Sequence, residues 1–236
     1  MANKKIALVT GGNRGIGRAI ARQLSDQGIH VIITARKISD GQSVVDEIIE
    51  AGGSSEVMLL EMTDSQQRER LVRDIDAQYQ RLDILVNNAG VALDKWVPGA
   101  DLDIQVMRDT MEVNVYASLQ LIQLALPLMK RNQYGRIVNL SSELASLNDM
   151  HLGMTLAYRT SKAALNAITR ILALELEEYP DIKINAAAPG WVKTELGGDD
   201  APLTPEQGAI TPVWLATLPE DGPSGGFYRE KQAYPW

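Results

Sequence analysis

Ile6-Ala7-Leu8-Val9-Thr10-Gly11-Gly12-Asn13-Arg14-Gly15-Ile16-Gly17 is the stretch whose reading decides the fold. Its first four residues are a short apolar run that ends in glycines. Ile16, Ala19, Ile20 and Leu24 then recur at helical spacing until Gly28 stops the pattern. Strand, glycine-rich turn and helix together open a phosphate-binding unit. The glycines permit a tight turn and close backbone approach, and the helix N-terminus offers unpaired N–H groups to an anion. Glycines at 11, 15 and 17 are spaced more widely than in G-x-G-x-x-G.

Outward from that turn, strand and helix alternate. His30–Ala35 is a second strand and Asp40–Ala51 a helix stopped by Gly52-Gly53. Val57–Met62 is a third strand, and a helix follows from Thr63-Asp64 with Leu71, Val72, Ile75 and Tyr79 on its core face. Leu82–Val86 is a fourth strand running into Asn87-Asn88-Ala89-Gly90, and one long helix is expected from about Ile104 to Met129. Arg136–Leu140 is a fifth strand ending at Ser141-Ser142. A helix with Leu165, Ile168, Leu172 and Leu176 as its packed stripe comes next, then a sixth strand, Ile182–Ala186, closed by Pro189-Gly190. This alternation demands a parallel sheet covered on both faces.

Composition narrows the partners. At 236 residues, 45% hydrophobic and 22% charged, the chain has the make-up of one globular domain without a linker. A net charge of -7 argues against nucleic acid or an anionic membrane as partner. There are no cysteines, and His30 and His151 are far apart, so neither a disulfide framework nor a metal centre is expected. Met1 to Lys5 lead straight into a strand, leaving no room for a signal peptide, and charges break every apolar stretch short of a membrane span. The expectation is a soluble, cytoplasmic protein with a small-molecule substrate.

In open parallel sheets, ligands bind outside the carboxyl ends of the strands. Five polar clusters fall there: the glycine turn, Arg36, Asn87-Asn88, Ser141-Ser142 and Pro189-Gly190. Any one alone reads as a turn or a helix cap. Five at one edge point to a site. On the next helix Tyr158 and Lys162 are four apart, so phenol and ammonium share a face. A fixed ammonium favours the phenolate of a group whose reference pKa is about 10. The second strand lacks the terminal acid that usually holds a ribose 2′-hydroxyl, and it ends in Arg36-Lys37. With Arg14 in the turn, those bases suit a 2′-phosphate, so NADP(H) is expected over NAD(H).

The chain resembles the short-chain dehydrogenase/reductase family along its whole length. The resemblance rests on Thr10-Gly11-x-x-x-Gly15-x-Gly17, Asn87-Asn88-Ala89-Gly90, Asn114, Ser141-Ser142, Tyr158-x-x-x-Lys162 and Pro189-Gly190. Gly222 to Arg229, Pro235-Trp236 and Pro189 to Thr194 are similar to the carbonyl reductase branch. The resemblance implies an α/β, Rossmann-type doubly wound parallel sheet flanked by helices on both faces. That single domain would span 1–236, with 1–140 mainly binding cofactor and 141–236 carrying catalysis and substrate. It implies a catalytic tetrad of Asn114, Ser142, Tyr158 and Lys162. Tyr158 would donate a proton to a carbonyl oxygen that Ser142 positions. Lys162 would depress the tyrosine pKa and hold the nicotinamide ribose, and Asn114 would brace a water leading to Lys162.

The cofactor residues implied are Gly11, Asn13, Arg14, Gly15, Ile16, Gly17, Arg36, Glu61, Met62, Asn88, Ala89, Gly90, Tyr158, Lys162, Pro189, Gly190, Val192 and Thr194. Trp96, Glu143, Met154 and Trp191 would line the substrate pocket, which draws on Val91–Trp96, Glu143-Leu144, Met150–Leu156 and Trp191–Leu196. Thr194–Pro205 is expected as a mobile lid over the cofactor. Departures from the family pattern are Glu61, where Asp or Asn is usual beside the adenine, and Asp40, where the branch often carries a second base. The segment between Ser142 and Tyr158 lacks the long insertion of the monomeric carbonyl reductases, which implies a homodimer or homotetramer. The activity implied is NADPH-dependent carbonyl reduction. A 3-oxoacyl reductase, a hydroxysteroid dehydrogenase and a non-catalytic nucleotide sensor are the alternatives.

Overall fold

The computed structural model describes residues 4–94 and 96–236; Met1 to Asn3, and Lys95 of the Val91–Trp96 stretch, lie outside the described residues. The elements in chain order are β1 Ile6–Val9, α1 Gly15–Ser25, β2 His30–Ala35, α2 Ile38–Glu50, β3 Ser55–Leu59, α3 Ser65–Tyr79, β4 Ile84–Asn87 and α4 Ile104–Met111. Then come α5 Ala117–Asn132, β5 Gly135–Leu140, α6 Leu156–Glu175, β6 Ile182–Ala188, α7 Pro205–Ala216, β7 Phe227–Arg229 and β8 Gln232–Ala233. The strands form one sheet in the order β3-β2-β1-β4-β5-β6-β7-β8, parallel except for the β7–β8 pair. The order reverses direction between β1 and β4, which is the crevice where such sheets take ligands.

Alternation along each strand feeds two cores. Ala7 and Val9 of β1 join Val31, Ile33, Val86 and Val138 beneath α1, α2 and α7. Ile6 and Leu8 point the other way, joining Ile32, Leu85 and Ile137 beneath α3, α5 and α6. Every residue of β1, β2, β4 and β5 is buried, as a sheet covered on both faces requires.

Several boundaries differ from the expectation. β3 begins two residues early, at Ser55, because Ser55 Oγ donates to the Val31 carbonyl and starts the ladder, while Leu60 to Met62 have already left the sheet. The expected single helix over 104–129 is interrupted by a π-helical turn, Glu112–Tyr116. β7, β8 and α7 complete the sheet and its cover beyond the six strands expected.

Candidate active site

The glycine turn is built for close approach. Gly11 and Gly15 have φ of +60° and +52°, the left-handed region where a side chain is strained. A Cβ on Gly17 would lie 2.4 Å from the Gly11 carbonyl oxygen, too close for any other residue. At the head of α1, Arg14 sits at the N-cap in extended conformation and its side chain caps nothing. The first amides of α1 therefore have no side-chain acceptor from their own N-cap.

The turn after β4 is locked to the turn after β1. Thr10 Oγ1 accepts the backbone N–H groups of Asn88 and Ala89, both at 3.0 Å. Asn88 Nδ2 donates back to the carbonyls of Thr10 at 2.7 Å and Gly11 at 3.2 Å. Beneath them Asn87 Nδ2 donates to Asn139 Oδ1, and Asn139 Nδ2 to Thr169 Oγ1, each at 2.9 Å. Three elements of the site, β4, β5 and α6, are thus held by one buried amide chain. The sequence placed Thr10 in the glycine motif and Asn139 in a strand but gave neither this bracing role, because no spacing signal links them to the turn after β4 or to α6.

Ser142, Tyr158, Lys162 and Asn114 converge at the carboxyl ends of β4 and β5. Ser142 is the N-cap of a short 3-10 turn, Glu143–Ala145, and its hydroxyl accepts from the Leu144 N–H at 3.2 Å. The same hydroxyl interacts with the Tyr158 phenol and favours its ionised form, but enclosure by protein outweighs it and pushes the phenol above its ordinary pKa. The charges of Glu143 and Asp94 push the same way. Lys162 is not among the groups that shift the phenol in this structure. Lys162 Nζ donates to the Leu140 carbonyl at 2.7 Å and lies 5.9 Å from the Tyr158 ring centroid. Burial lowers that lysine to about 8. Ser141, the other hydroxyl at this strand end, is buried and turned to the Lys162 carbonyl at 3.5 Å.

Asn114 is fully buried within the π-helical turn. Its Oδ1 accepts from Val91 N–H at 2.8 Å, and its Nδ2 donates to the Val91 carbonyl and to Ser161 Oγ, both at 2.9 Å. The side chain braces the loop after β4 against α6 directly. Gly90 leaves the space between these groups: a Cβ there would be 3.2 Å from both Asn114 Oδ1 and Lys162 Nζ.

The remaining expected residues fall less uniformly. Arg36 and Lys37 are exposed immediately after β2. Arg14, expected to join them, is paired instead with Glu195. That partner comes from the segment after β6, whose Thr194 methyl lies against Gly15. The segment is closed by its own bonds: Val192 bridges to Leu203, Trp191 Nε1 donates to the Gly197 carbonyl at 2.7 Å, and Gly197 N–H donates to Thr194 Oγ1 at 3.1 Å. It lies across the glycine turn, where a lid would. Gly190, at φ +83°, makes the bend that lets Leu203 pack beside it. Glu61 accepts from Thr63 N–H at 3.4 Å, and the Met62 carbonyl is taken by Arg68 Nη1.

Of the pocket residues, Trp96, Met154 and Trp191 are exposed, and Glu143 Oε2 faces Arg229 Nε at 3.6 Å. Asn148 N–H and Ser146 Oγ both donate to the main-chain oxygen of Trp236, whose ring stacks on Phe227. That contact ties the loop beyond Ser142 to the far edge of the sheet.

A family model described as short chain dehydrogenase matches residues 5–202. The chain belongs to the short-chain dehydrogenase family. This short-chain dehydrogenase is 34% identical over 281 residues to carbonyl reductase (NADPH) 1 of Sus scrofa, covering 100% of this chain and 95% of that protein. It is 31% identical to (+)-neomenthol dehydrogenase of Arabidopsis thaliana, with 97% of each covered. Among solved structures, carbonyl reductase Sniffer of D. melanogaster superposes with a TM-score of 0.88 at 28% identity, covering 99% of this chain and 100% of that one. The short-chain dehydrogenase described here is an oxidoreductase of carbonyl and alcohol groups, similar to the carbonyl reductases.

Proposed function

We propose that the protein reduces a ketone, aldehyde or quinone to the alcohol with NADPH, using Asn114, Ser142, Tyr158 and Lys162. The observation that carries this reading is a half-buried phenol, held above its ordinary pKa chiefly by burial, beside a serine hydroxyl at the crevice of the sheet. The glycine turn, the uncapped head of α1 and the space beside Gly90 fit a dinucleotide, and one relative named above is a carbonyl reductase named for NADPH. When bound, the dinucleotide supplies the hydride. The phenol of Tyr158 supplies the proton to the carbonyl oxygen. The Ser142 hydroxyl orients that oxygen and meets its developing negative charge. Lys162, lowered to about 8 by burial, is still mostly cationic at neutral pH and stabilises the phenolate left behind. Arg36 and Lys37, exposed and without an ion-pair partner among the described residues, are the cations suited to a 2′-phosphate.

The test is NADPH consumption across aryl ketones, quinones, ketoesters and steroids. Tyr158→Phe is expected to bind NADPH normally and to lose about 10²–10⁴-fold in kcat; an active phenylalanine variant would sink the proton-donor role. Arg36→Ala is expected to raise the KM for NADPH and leave that for NADH nearly unchanged, whereas equal effects would remove Arg36 from phosphate recognition. A homodimer or homotetramer is also proposed, supported by Ile171 and Leu174, which stand exposed on α6. Light scattering that returned a monomer would overturn it.

A further inference from the structure

Asp94 falls in the Val91–Trp96 stretch expected at the pocket without a role of its own, and it is 1% exposed in the loop after β4. Its Oδ2 accepts the backbone N–H of Tyr158 at 3.2 Å. Its Oδ1 has no partner among the described residues. The amide it holds is one of the first-turn amides of α6, which have no intrahelical acceptor. α6 cannot supply its own cap. Thr155, at the N-cap, is in the left-handed region with φ 47° and makes no capping bond, because its Oγ1 accepts from Arg159 Nε at 3.0 Å. Met154 before it is left-handed too, at φ 66°. A helix that begins with two strained residues and an occupied threonine needs an acceptor from elsewhere, and a carboxylate there is favoured by the helix dipole.

We propose that Asp94 is a positioning residue for Tyr158, fixing its backbone from a neighbouring loop and setting the charge its phenol experiences. The proposal rests on the reductase reading above. The groups facing the phenol are Ser142 and Glu143 from the turn after β5, Lys162 one turn along α6, and Asp94 from the loop after β4. Ser142 favours the phenolate, while Glu143 and Asp94 favour the phenol. A buried carboxylate near the proton donor keeps it protonated, which suits reduction and opposes the reverse oxidation, where a phenolate base is required. Asp94 thereby extends to higher pH the range over which the phenol stays protonated.

Asp94→Asn separates the two jobs, because the amide oxygen can still accept the Tyr158 N–H while the charge is gone. The readout is the pH titration of Tyr158 in the cofactor-free protein by ¹³Cζ-tyrosine NMR, with the resonance assigned by its loss in Tyr158→Phe. The expected result is wild-type melting and a Tyr158 titration lowered by about half to one pH unit, the scale of one partly screened charge. The alkaline limb of kcat for reduction and the acid limb for oxidation should fall by the same amount. A folded Asp94→Asn with an unmoved titration overturns the proposal. Should that variant not fold, Asp94→Ser, a neutral acceptor, takes its place, and failure of both to fold would mark Asp94 as a structural cap alone. Failure of the wild-type protein to oxidise NADPH with any carbonyl of the panel would instead sink the reductase reading and leave the titration result standing.

Discussion

A lysine ammonium that is 5% exposed is held against its own solvation, and Lys162 carries that cost in the folded state. Its native value is about 8 against 10.5 for the free group. Between those values the unfolded chain binds the proton and the native chain does not, so stability rises as pH climbs from 8 to 10.5. Below 8 both states are protonated and the whole penalty, about 3 kcal/mol, is present. Lys162→Met is therefore expected to flatten the dependence of Tm on pH over that window while abolishing turnover, as calorimetry in matched buffers would show. A variant with the wild-type slope would mean that another group titrates there. Tyr158 and Lys162 were legible from their spacing, since helix geometry dictates the shared face. The direction in which the phenol moves was not, because enclosure depends on Ser142, Glu143 and Asp94 arriving from two other loops.

The segment from Trp191 to Leu203 does at the level of an element what the sequence assigned to separate residues. It closes on itself, lays Thr194 on the glycine turn and offers Glu195 to Arg14. Both partners of that ion pair are more than half exposed, so the pair is worth at most about 1 kcal/mol. Glu195→Gln is expected to release Arg14 and tighten NADPH, relative to NADH, by no more than about fivefold in calorimetric Kd. An unchanged ratio would show that Arg14 does not reach the phosphate. Apolar periodicity carried the six long strands and most helices. It could not reveal the π-helical turn at Glu112–Tyr116, because five residues are too few to show a period of their own. Nor could it find β7 and β8, which at three and two residues are too short to show a period.

Across the whole molecule, the two ends of the sheet carry different tasks. The carboxyl ends hold the chemistry, and the amino ends hold a polar foundation. Arg136, 1% exposed, donates to the carbonyls of Leu218, Gly135 and Asp181 and to the Asp181 carboxylate. Asp83 is clamped by Arg81 and accepts from the Ile6 N–H. His30 stands between Ser54 and Tyr79, whose hydroxyl also bonds Glu56. Arg136→Met leaves Asp181 without its buried partner and is expected to cost about 3–5 kcal/mol in urea melts while sparing kcat at low temperature; a matching loss of kcat would deny the separation. A parallel sheet covered on both faces followed from strand–helix alternation, but this foundation did not, since an arginine opening a strand looks like surface charge. The central place of β1 also bears on how the protein is made. Ala7 pairs with Val31 on one side and with Ile84 on the other. A chain emerging from the ribosome therefore shows one bare edge of β1, a row of unpaired N–H and C=O groups flanked by apolar side chains, until β4 follows, the condition in which nascent sheets pair with the wrong neighbour. Proteolysis of stalled nascent chains should find protection of β1 only after Val86 has cleared the exit tunnel, and earlier protection would show that β1 to β3 shelter themselves.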